Sequence, residues 1–369
     1  MDNTLGLLYR TTTFGESHGG AVGVVIDGCP PGHEISLEKI QDFLNRRRPG
    51  QSHLSTPRAE KDQVTCISGL VNGISLGTPI TLMVQNKDAK QDHYSDLKSV
   101  YRPSHADYTT DVKFGLKAPS GGGRASARET IGRVAAAAVA EQVLTTLIPG
   151  FKVLAYVESV KDIQSNITNP ESLNRSDVDE TPLRCPDKNS QKEMEAIIVS
   201  AKKKGDSVGG TIFCGISKCP AGLGSPVFDK LEAELAKAMM SLPASKGFEV
   251  GSGFSATQLF GSEHNDAFTN EDGSIRTTSN RSGGIQGGIS NGEFIYCRVA
   301  FKPVATIFKD QQSVDRNGEN VTMKPKAGRH DPCVLPRAVP MVEAMALLVV
   351  MDQYLRQLPF IHGRGPHKV

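Results

Sequence analysis

The 369-residue sequence predicts an α+β protein made of two internally duplicated halves, in which helices pack on the apolar faces of antiparallel sheets. Short segments that alternate apolar and polar residues, typical of half-buried strands, are separated by longer segments with helical spacing. Motifs of the N-terminal part also recur, in the same order, in the C-terminal part. We therefore predict a single domain over residues 1–369, with halves at roughly 1–150 and 200–358 related by pseudo-two-fold symmetry.

The repeat is clearest in two glycine-containing motifs. Gly-Glu-Ser-His-Gly-Gly at 15–20 matches Gly-Asp-Ser-Val-Gly-Gly at 205–210, and in each copy a Cys-Pro turn follows twelve positions after the serine. Further on, Gly-Ile-Ser-Leu-Gly at 73–77 matches Gly-Ile-Ser-Asn-Gly at 288–292. Chance similarity between glycine-rich turns is the alternative, and the matched spacing and order favour a duplication. Only the first copy carries a histidine, His18, at its fourth position, which points to a chemical role for this residue.

Local patterns predict the elements in chain order. They indicate strands at 22–27, 64–69, 78–85 and 294–301, and helices at 36–47, 127–147 and 339–358, with Ser36 as an N-cap. Residues 87–120 are polar and broken by glycine and proline, so we expect a long loop there. Residues 161–195, rich in Asp, Ser, Asn and Lys, are expected to form a surface excursion, and residues 359–369 a frayed tail.

Charge and composition exclude several classes of partner. The 42 basic and 40 acidic residues leave a net charge of +2, so anion binding must come from local clusters rather than from the whole chain. No apolar run is long enough to span a bilayer, and the N-terminus lacks the pattern of a signal peptide. We therefore expect a cytoplasmic protein with neither nucleic acid nor membrane as partner. The seven cysteines lack zinc-binding spacing, so reduced thiols and no metal site are expected.

The segment 120–129, Ser-Gly-Gly-Gly-Arg-Ala-Ser-Ala-Arg-Glu, is the strongest candidate for binding an anion. Three glycines precede a helix N-terminus, whose free N–H groups and dipole favour negative charge. Arg124 and Arg128 add donors suited to phosphate or carboxylate. Ser126 and Glu129 fit a capping box, which an ordinary capped helix would also show. The glycines and arginines favour an anion site over that simpler interpretation.

Other motifs are weaker when taken alone. The arginine run 46–48 at the end of a helix fits a solvated basic terminus, a targeting or RNA-binding signal, or a clamp for a substrate phosphate. His105 lies in a polar loop, where a solvated histidine is common, although imidazole also suits proton transfer near neutral pH. Asp331 followed by Pro332 is fully explained as a helix N-cap and a first-turn proline. Residues 302–306 end a strand, and loops at strand ends often line sites.

The repeat also relates the two arginine-containing helix starts. Arg337 aligns with Arg133, at a separation of 204 positions, so the motif around Asp331 and the motif around Arg124 occupy equivalent helix starts. A ligand that lies between the two halves would therefore meet both motifs.

Taken together, these segments resemble the chorismate synthase family from end to end. The matching segments are Phe-Gly-Glu-Ser-His-Gly-Gly at 14–20, Arg-Arg-Arg-Pro-Gly at 46–50, Arg-Pro-Ser-His-Ala-Asp-Tyr at 102–108, Gly-Gly-Gly-Arg-Ala-Ser-Ala-Arg-Glu-Thr at 121–130, Lys-Gly-Phe-Glu at 246–249, Gly-Gly-Ile-Gln-Gly-Gly-Ile-Ser-Asn-Gly at 283–292, Lys-Pro at 302–303 and Gly-Arg-His-Asp-Pro-Cys at 328–333. The resemblance implies a β-α-β sandwich that assembles as a homotetramer. It also implies the 1,4-anti elimination of phosphate from 5-enolpyruvylshikimate 3-phosphate to give chorismate, the last common step of the shikimate pathway. That reaction requires reduced FMN although it involves no net redox change.

The resemblance further implies roles for individual residues. His18 would assist the departing phosphate, His105 would lie against the reduced flavin, and Asp331, with Ser17 and Ser126, would support a proton relay through the flavin. Contacts with FMN would come from Arg124, Ala125, Ser126, Ala244, Gly287, Lys302, Pro303, Val304, Ala305, Thr306 and Arg329. The anionic substrate would be held by Arg47, Arg48, Arg128 and Arg329. NADPH would be the reductant of FMN in those family members that reduce their own flavin, and the sequence leaves open whether this chain is one of them.

The sequence departs from the family's pattern in two places, and two alternative functions stay open. His53 and Leu54 lie where relatives often carry a further arginine, and residues 243–245 differ from the usual small and polar residues. A flavin oxidoreductase acting on a phosphorylated substrate is the alternative enzyme. An RNA-binding module that uses the arginine run is the alternative from another class, and an aromatic content of only 6% with no Trp argues against base stacking.

Overall fold

Helices and antiparallel strands alternate along the chain. The structure, a computed structural model, describes residues 3–17, 19–54, 61–86, 100–116, 123–325 and 331–363. The elements of the N-terminal part are β1 Thr4–Leu5, β2 Arg10–Gly15, β3 Ala21–Asp27, α1 Leu37–Arg47, β4 Val64–Ser68, β5 Leu70–Val71, β6 Ile74–Ser75, β7 Ile80–Gln85, α2 Asp107–Phe114 and α3 Thr130–Leu147. The elements that follow are β8 Lys152–Val160, β9 Ile163–Gln164, α4 Arg175–Asp179, α5 Lys188–Lys203, β10 Gly210–Ser217, α6 Leu231–Met240, β11 Ser245–Val250, α7 Gly261–His264, β12 Phe268–Glu271, β13 Ser274–Thr277, β14 Ile285–Gln286, β15 Ile289–Ser290, β16 Ile295–Phe301, β17 Gln311–Val314, β18 Asn320–Met323 and α8 Leu335–His362.

Two five-stranded antiparallel sheets dominate this arrangement. The strand order is β1-β2-β3-β7-β4 in the first sheet and β9-β8-β10-β16-β11 in the second. Helix α3 packs on the first sheet, α8 packs on the second, and the two helices pack against each other. The helices therefore form a layer between the sheets, and the predicted α+β class with antiparallel sheets is confirmed.

Small and branched apolar side chains fill the helical layer. In α3 the run from Ala135 to Ala140 is buried throughout. A Cβ atom added at Gly132 would come within 2.6 Å of the Gly23 carbonyl oxygen, so glycine is required where α3 crosses β3. The expectation that no apolar run could span a bilayer is wrong for helix α8, which by length and composition could cross a membrane. In the protein, 89% of its most apolar window is buried, as in a core helix.

The predicted elements agree with the observed ones where the apolar pattern was strong. The strands predicted at 22–27, 64–69, 78–85 and 294–301 are confirmed as β3, β4, β7 and β16. Helix α1 begins after Ser36, whose side chain accepts a hydrogen bond from the Lys39 amide at 3.3 Å, and this confirms the predicted N-cap. Ile40 and Leu44 on one face of α1 are fully buried against the core.

The prediction of a continuous loop at 87–120 is wrong for the part that the structure describes. That part contains α2, which ends at Gly115 in the left-handed region (φ 67°). The Asp111 carboxylate accepts hydrogen bonds from Tyr101 at 3.2 Å and from Arg316 at 2.6 Å. Contacts between distant parts of the chain therefore stabilise α2, which explains why its own polar sequence did not reveal it.

Most residues of the segment 161–195 are exposed or half-buried, but the segment has regular structure and is anchored in the core. It contains β9, α4 and the start of α5, and it contributes three fully buried side chains, Val178, Leu183 and Cys185. Helix α8 also continues to His362, so the tail is helical beyond the predicted boundary at 359. The rest of the predicted tail, 364–369, lies outside the described residues.

Candidate active site

A cavity of about 510 Å³ lies where the starts of α3 and α8 meet several loops, a size that suits a small-molecule ligand. The predicted site residues that line it are Arg47, His105, Arg124, Ala125, Ser126, Arg128, Ala244, Lys302, Val304, Ala305, Thr306 and Asp331. Four other predicted residues are described but are not part of this lining, namely Ser17, Arg48, Gly287 and Pro303. His18 and Arg329 lie outside the described residues. The fold therefore gathers most of the predicted site from distant segments, and the individual roles remain predictions.

Positive charge dominates the described part of the lining. Its cationic side chains are Arg47, Arg102, Arg124, Arg128, Arg133, Lys302 and Arg337, against the carboxylates of Glu129 and Asp331. Burial, followed by the nearby charge of Lys246, lowers the pKa of Lys302. The excess of cations suits a ligand that carries several negative charges.

Two of the predicted substrate arginines share one buried carboxylate. Arg47 Nη2 lies 3.2 Å from Asp62 Oδ2, and Arg128 Nη1 donates to Asp62 Oδ1 at 2.9 Å. Arg128 also donates through Nε to the side-chain oxygen of Asn86. All three charged side chains are buried, so an ion pair with Arg47 and a charge-assisted hydrogen bond from Arg128 hold this part of the wall in a low dielectric.

The three arginines at 46–48 lie in different environments. Arg46 donates to Glu343 and, at 2.6 Å, to Asp179, whereas Arg47 lines the cavity. Arg48 is the C-cap of α1, and its amide donates to the Leu44 carbonyl at 3.2 Å. Because the first two side chains are largely enclosed, the run is not a solvated basic terminus.

His105 lines the cavity with its ring held by Asp107. Its Nδ1 lies 3.0 Å from Asp107 Oδ1, an ion-pair distance rather than a straight hydrogen bond. The same carboxylate accepts hydrogen bonds from Arg102 through Nε at 2.7 Å and Nη2 at 2.8 Å. Burial alone would raise the pKa of Asp107, but the contacts with Arg102 and His105 outweigh it and hold that pKa well below its usual range. Lys302 donates to the Ser104 carbonyl at 3.1 Å and so ties this segment to the opposite wall.

Asp107→Asn is expected to lower the free energy of unfolding at pH 7 by about 1–3 kcal/mol, because it removes the charged acceptor of two hydrogen bonds from buried Arg102. The folded pKa of Asp107 lies below its ordinary value of 3.8. The contribution of Asp107 to the free energy of unfolding is therefore complete above that value and is lost as the pH falls through the folded pKa. In urea unfolding from pH 7 to pH 3, the free energies of unfolding of wild type and variant should differ by a constant amount down to about pH 5. Below that pH, the difference should become smaller. A difference that stays constant over the whole range would contradict the assigned ionisation.

The capping box predicted at the start of the long helix is wrong. Ser126 caps a single 3-10 turn ahead of α3 and accepts a hydrogen bond from the Arg128 amide at 3.3 Å. Glu129 does not complete the box. It accepts instead from Thr13 Oγ1 at 2.7 Å and from Arg133 Nε at 2.8 Å. Thr13 on β2 and Arg133 on the next helical turn therefore bind this carboxylate instead. A local motif could not reveal Thr13, because it is distant in sequence.

Arg124 links the start of α3 to β2. Its guanidinium donates to the Thr13 hydroxyl at 2.7 Å, to the Gly15 carbonyl at 3.1 Å and to the Asn3 side chain at 3.0 Å. The side chain therefore lines the cavity while it also fixes the strand that leads into Ser17.

The N-cap role predicted for Asp331 is wrong. Helix α8 begins at Leu335, with Val334 as its N-cap. The Asp331 carboxylate accepts a hydrogen bond from Arg337 at 2.5 Å, and Arg337 Nε donates to the Arg47 carbonyl at 3.3 Å. Asp331 is therefore not used for capping, and its carboxyl group lies in the cavity wall.

Sequence reasoning did not select three arginines of the lining, Arg102, Arg133 and Arg337. The repeat gave a signal for two of them, since Arg133 and Arg337 align and each pairs with a carboxylate near the start of its helix. Arg102 belongs to the same motif as His105. Asp62 carried no signal, because a lone acidic residue in a polar stretch gives no hint that the fold will bury it.

The chemistry of the lining fits a ligand that has both an apolar part and an anionic group. Val304, Ala305, Val334 and Met341 provide an apolar part of the wall beside the cationic part. Such a combination of apolar surface and a few charged donors is typical of cofactor sites. Among the described residues, no group of three or more His, Cys, Asp and Glu side chains is arranged to hold a metal ion.

Comparisons with known proteins identify a single family. The chorismate synthase family model matches residues 9–355. The chain is 58% identical over 358 residues to a chorismate synthase of Synechococcus elongatus, covering 97% of this chain and 98% of the relative. It is 58% identical over 365 residues to a chorismate synthase of Gloeothece citriformis, covering 99% of each. A solved crystal structure of a chorismate synthase, 29% identical, matches with a TM-score of 0.76 over 96% of this chain and 93% of that one. The chain therefore belongs to the chorismate synthase family.

Proposed function

We propose that the cavity is the active site in which this chain, a carbon–oxygen lyase acting on phosphates, converts 5-enolpyruvylshikimate 3-phosphate to chorismate by 1,4-anti elimination. The observation that carries the proposal is the excess of cations in the wall, with His105 and Asp331 on the same cavity. The substrate carries carboxylates and a phosphate, and the reaction removes a proton and phosphate. Fixed arginines and groups that exchange protons are what such a reaction needs.

Arg47 and Arg128 are the residues that we propose for binding the substrate's anionic groups. Both are buried, both line the cavity, and both are oriented by ion pairs with Asp62. Buried, preorganised guanidinium groups bind carboxylate and phosphate in a defined geometry, whereas flexible lysines bind them as point charges. His18 is proposed to assist the departing phosphate, as the resemblance implies.

Reduced FMN is the cofactor that we propose for the same cavity. Arg124, Ser126 and Lys302 would meet its polar groups, while Val304 and Ala305 would meet the ring. When bound, reduced FMN supplies transient electron or proton donation without net oxidation. The fit rests on the donor set and on the apolar surface beside it.

In this proposal, His105 and Asp331 are the residues that exchange protons with a ligand in the cavity. Because Asp107 holds His105 at Nδ1, the other ring nitrogen, Nε2, is the one that would exchange a proton with a ligand in the cavity. The Asp331 carboxyl is oriented by Arg337, and Ser126 lines the same cavity. Each of these groups can hold a proton or pass it to a ligand in the cavity.

We also propose a homotetramer located in the cytoplasm. Large apolar side chains are exposed on the single chain, among them Phe228 at 87%, Phe254 at 78% and Phe260 at 79%. Exposed apolar surface of this kind marks protein interfaces. All seven cysteines are free thiols, as suits a reducing compartment.

We infer further that the chain is one domain that arose by internal duplication. Four strands of each large sheet, β2-β3-β7-β4 and β8-β10-β16-β11, follow the same spatial and chain order, although the edge strand β1 precedes β2 whereas β9 follows β8. Helices α1 and α3 occupy the chain positions that α6 and α8 occupy later. The hydrogen bonds of the repeated turns also correspond. Ser75 Oγ donates to the Pro30 carbonyl at 2.7 Å, Ser290 Oγ donates to the Pro220 carbonyl at 2.5 Å, and each serine accepts from the amide three residues beyond that proline.

The proposed reaction is tested by an anaerobic assay with photoreduced FMN and 5-enolpyruvylshikimate 3-phosphate. We expect many molecules of phosphate to be released per enzyme while the flavin stays reduced. Oxidation of one flavin for each product formed would contradict the lyase and favour the flavin oxidoreductase. A parallel assay with NADPH and oxidised FMN shows whether the chain reduces its own cofactor, because phosphate is then released without any other reductant.

A further inference from the structure

One carboxylate lies directly behind the wall that Arg47 and Arg128 form. The Asp62 side chain is fully buried and does not itself line the cavity. Each of its oxygens faces a different arginine, Oδ2 facing Arg47 at 3.2 Å and Oδ1 facing Arg128 at 2.9 Å. Because the two oxygens are fixed relative to each other, this carboxylate sets the separation of the two guanidinium groups.

The backbone of Asp62 is held in an uncommon conformation. Its φ angle is +44°, in the left-handed region that few residues other than glycine adopt. Gln41 of α1 holds it there, because its Nε2 donates to the Asp62 carbonyl at 3.2 Å and its Oε1 accepts from the Val64 amide at 3.0 Å. Since α1 also carries Arg47, one helix fixes both this arginine and the carboxylate that orients it.

Arg128 is oriented from a second side. Its Nε donates to the side-chain oxygen of Asn86. Asn86 Nδ2 in turn donates to the carbonyls of Glu16 at 3.0 Å and Gly19 at 2.7 Å. The guanidinium is therefore fixed between Asp62 and the first copy of the repeated glycine motif.

Charge alone would not place a carboxylate at this point. A negative charge behind an anion site weakens the attraction for an anion, and burying it is costly unless it is paired. The same carboxylate offsets the repulsion between the two buried arginines and fixes the orientation of their guanidinium groups. A role in orienting the two arginines therefore explains why Asp62 lies behind the anion site, whereas attraction for the anion does not explain it.

We propose that Asp62 is a positioning residue that holds Arg47 and Arg128 as a pair for one anionic group of the substrate, its phosphate or a carboxylate. The inference rests on the proposed function, in which both arginines bind substrate. Asp62 acts only through them and touches no substrate.

Asp62→Asn separates orientation from charge, because it adds one unit of positive charge to the wall. If charge alone mattered, KM would fall. The proposal predicts that KM for 5-enolpyruvylshikimate 3-phosphate rises at least about tenfold, with a smaller change in kcat. The measurement is steady-state phosphate release under anaerobic conditions with reduced FMN. Asp42→Asn, which neutralises an exposed carboxylate on the same helix α1, is the matched control and should leave both constants unchanged.

Two further measurements complete the test. Inhibition by inorganic phosphate and by benzoate identifies the anionic group, since only the probe that mimics it should bind more weakly to Asp62→Asn. Asp62→Glu keeps the charge but lengthens the side chain, and we expect it to raise KM as well. If Asp62→Asn fails to fold by circular dichroism, Asp62→Glu decides the question in its place.

The outcomes distinguish this inference from the function on which it rests. If Arg47→Lys and Arg128→Lys raise KM but Asp62→Asn and Asp62→Glu do not, Asp62 is not a positioning residue. If the two lysine variants leave KM unchanged, the assignment of these arginines to the substrate fails. A fall in KM for Asp62→Asn would show that Asp62 contributes charge alone.

Discussion

Replacing His105 by glutamine is expected to lower kcat by about 10²- to 10⁴-fold, the usual effect of losing a general acid or base. Glutamine keeps a polar side chain of similar reach but cannot exchange a proton near neutral pH. The segment should remain in place, because Arg102 and Asp107 pair with each other without the histidine. Phosphate release at saturating substrate, with reduced FMN under anaerobic conditions, measures the effect.

His362→Gln is the matched control for this experiment. His362 is exposed at the end of α8 and is not part of the cavity wall, so the variant should keep the wild-type kcat. Thermal unfolding of His105→Gln should follow that of the wild type closely. If its kcat stays within about threefold of the wild-type value, His105 is not the group that exchanges a proton in the slow step.

Much of the candidate site could be predicted from the sequence because several of its residues lie in short motifs. Arg124, Ser126 and Arg128 lie within a few positions of one another, so one glycine-rich segment revealed all three. Asp62 could not be predicted in this way, since its partners Arg47 and Arg128 are distant in sequence and only the fold brings them together. The residues of a motif are visible in the sequence, whereas their ion-pair partners across the fold are not.

The fold shows the same division. Strands with alternating apolar residues, such as β16, could be predicted because burial on one face fixes their pattern. Helix α2 could not, because contacts of Asp111 with Tyr101 and Arg316 stabilise it and leave no apolar periodicity. Asp331 was wrongly predicted as an N-cap because Asp331 followed by proline satisfies the rules for a helix N-terminus, while its carboxylate pairs with Arg337 instead.

Glu343→Gln is expected to lower the free energy of unfolding by about 3–5 kcal/mol, the effect of removing one partner of a buried ion pair. Glu343 lies in α8 with its side chain fully buried, where it pairs with Arg46 and lies 3.7 Å from Arg175 Nε. Its Oε1 also accepts a hydrogen bond from the Ala155 amide at 3.1 Å. Glutamine can keep that last bond but removes the charge that Arg46 and Arg175 share, so Arg46 keeps only Asp179 and Arg175 keeps only Glu141 as a carboxylate partner among the described residues. Urea unfolding at pH 7 measures the loss.

An exposed ion pair provides the matched control for this prediction. Arg10 and Asp27 also form an ion pair, but their side chains are 53% and 42% exposed. Asp27→Asn should therefore change the free energy of unfolding by no more than about 1 kcal/mol. Burial would lower the pKa of Arg46, yet Glu343 and Asp179 raise it, so this arginine stays charged in the folded protein and needs its partner. Equal losses in the two variants would mean that Glu343 stabilises the helical layer through packing rather than through its charge.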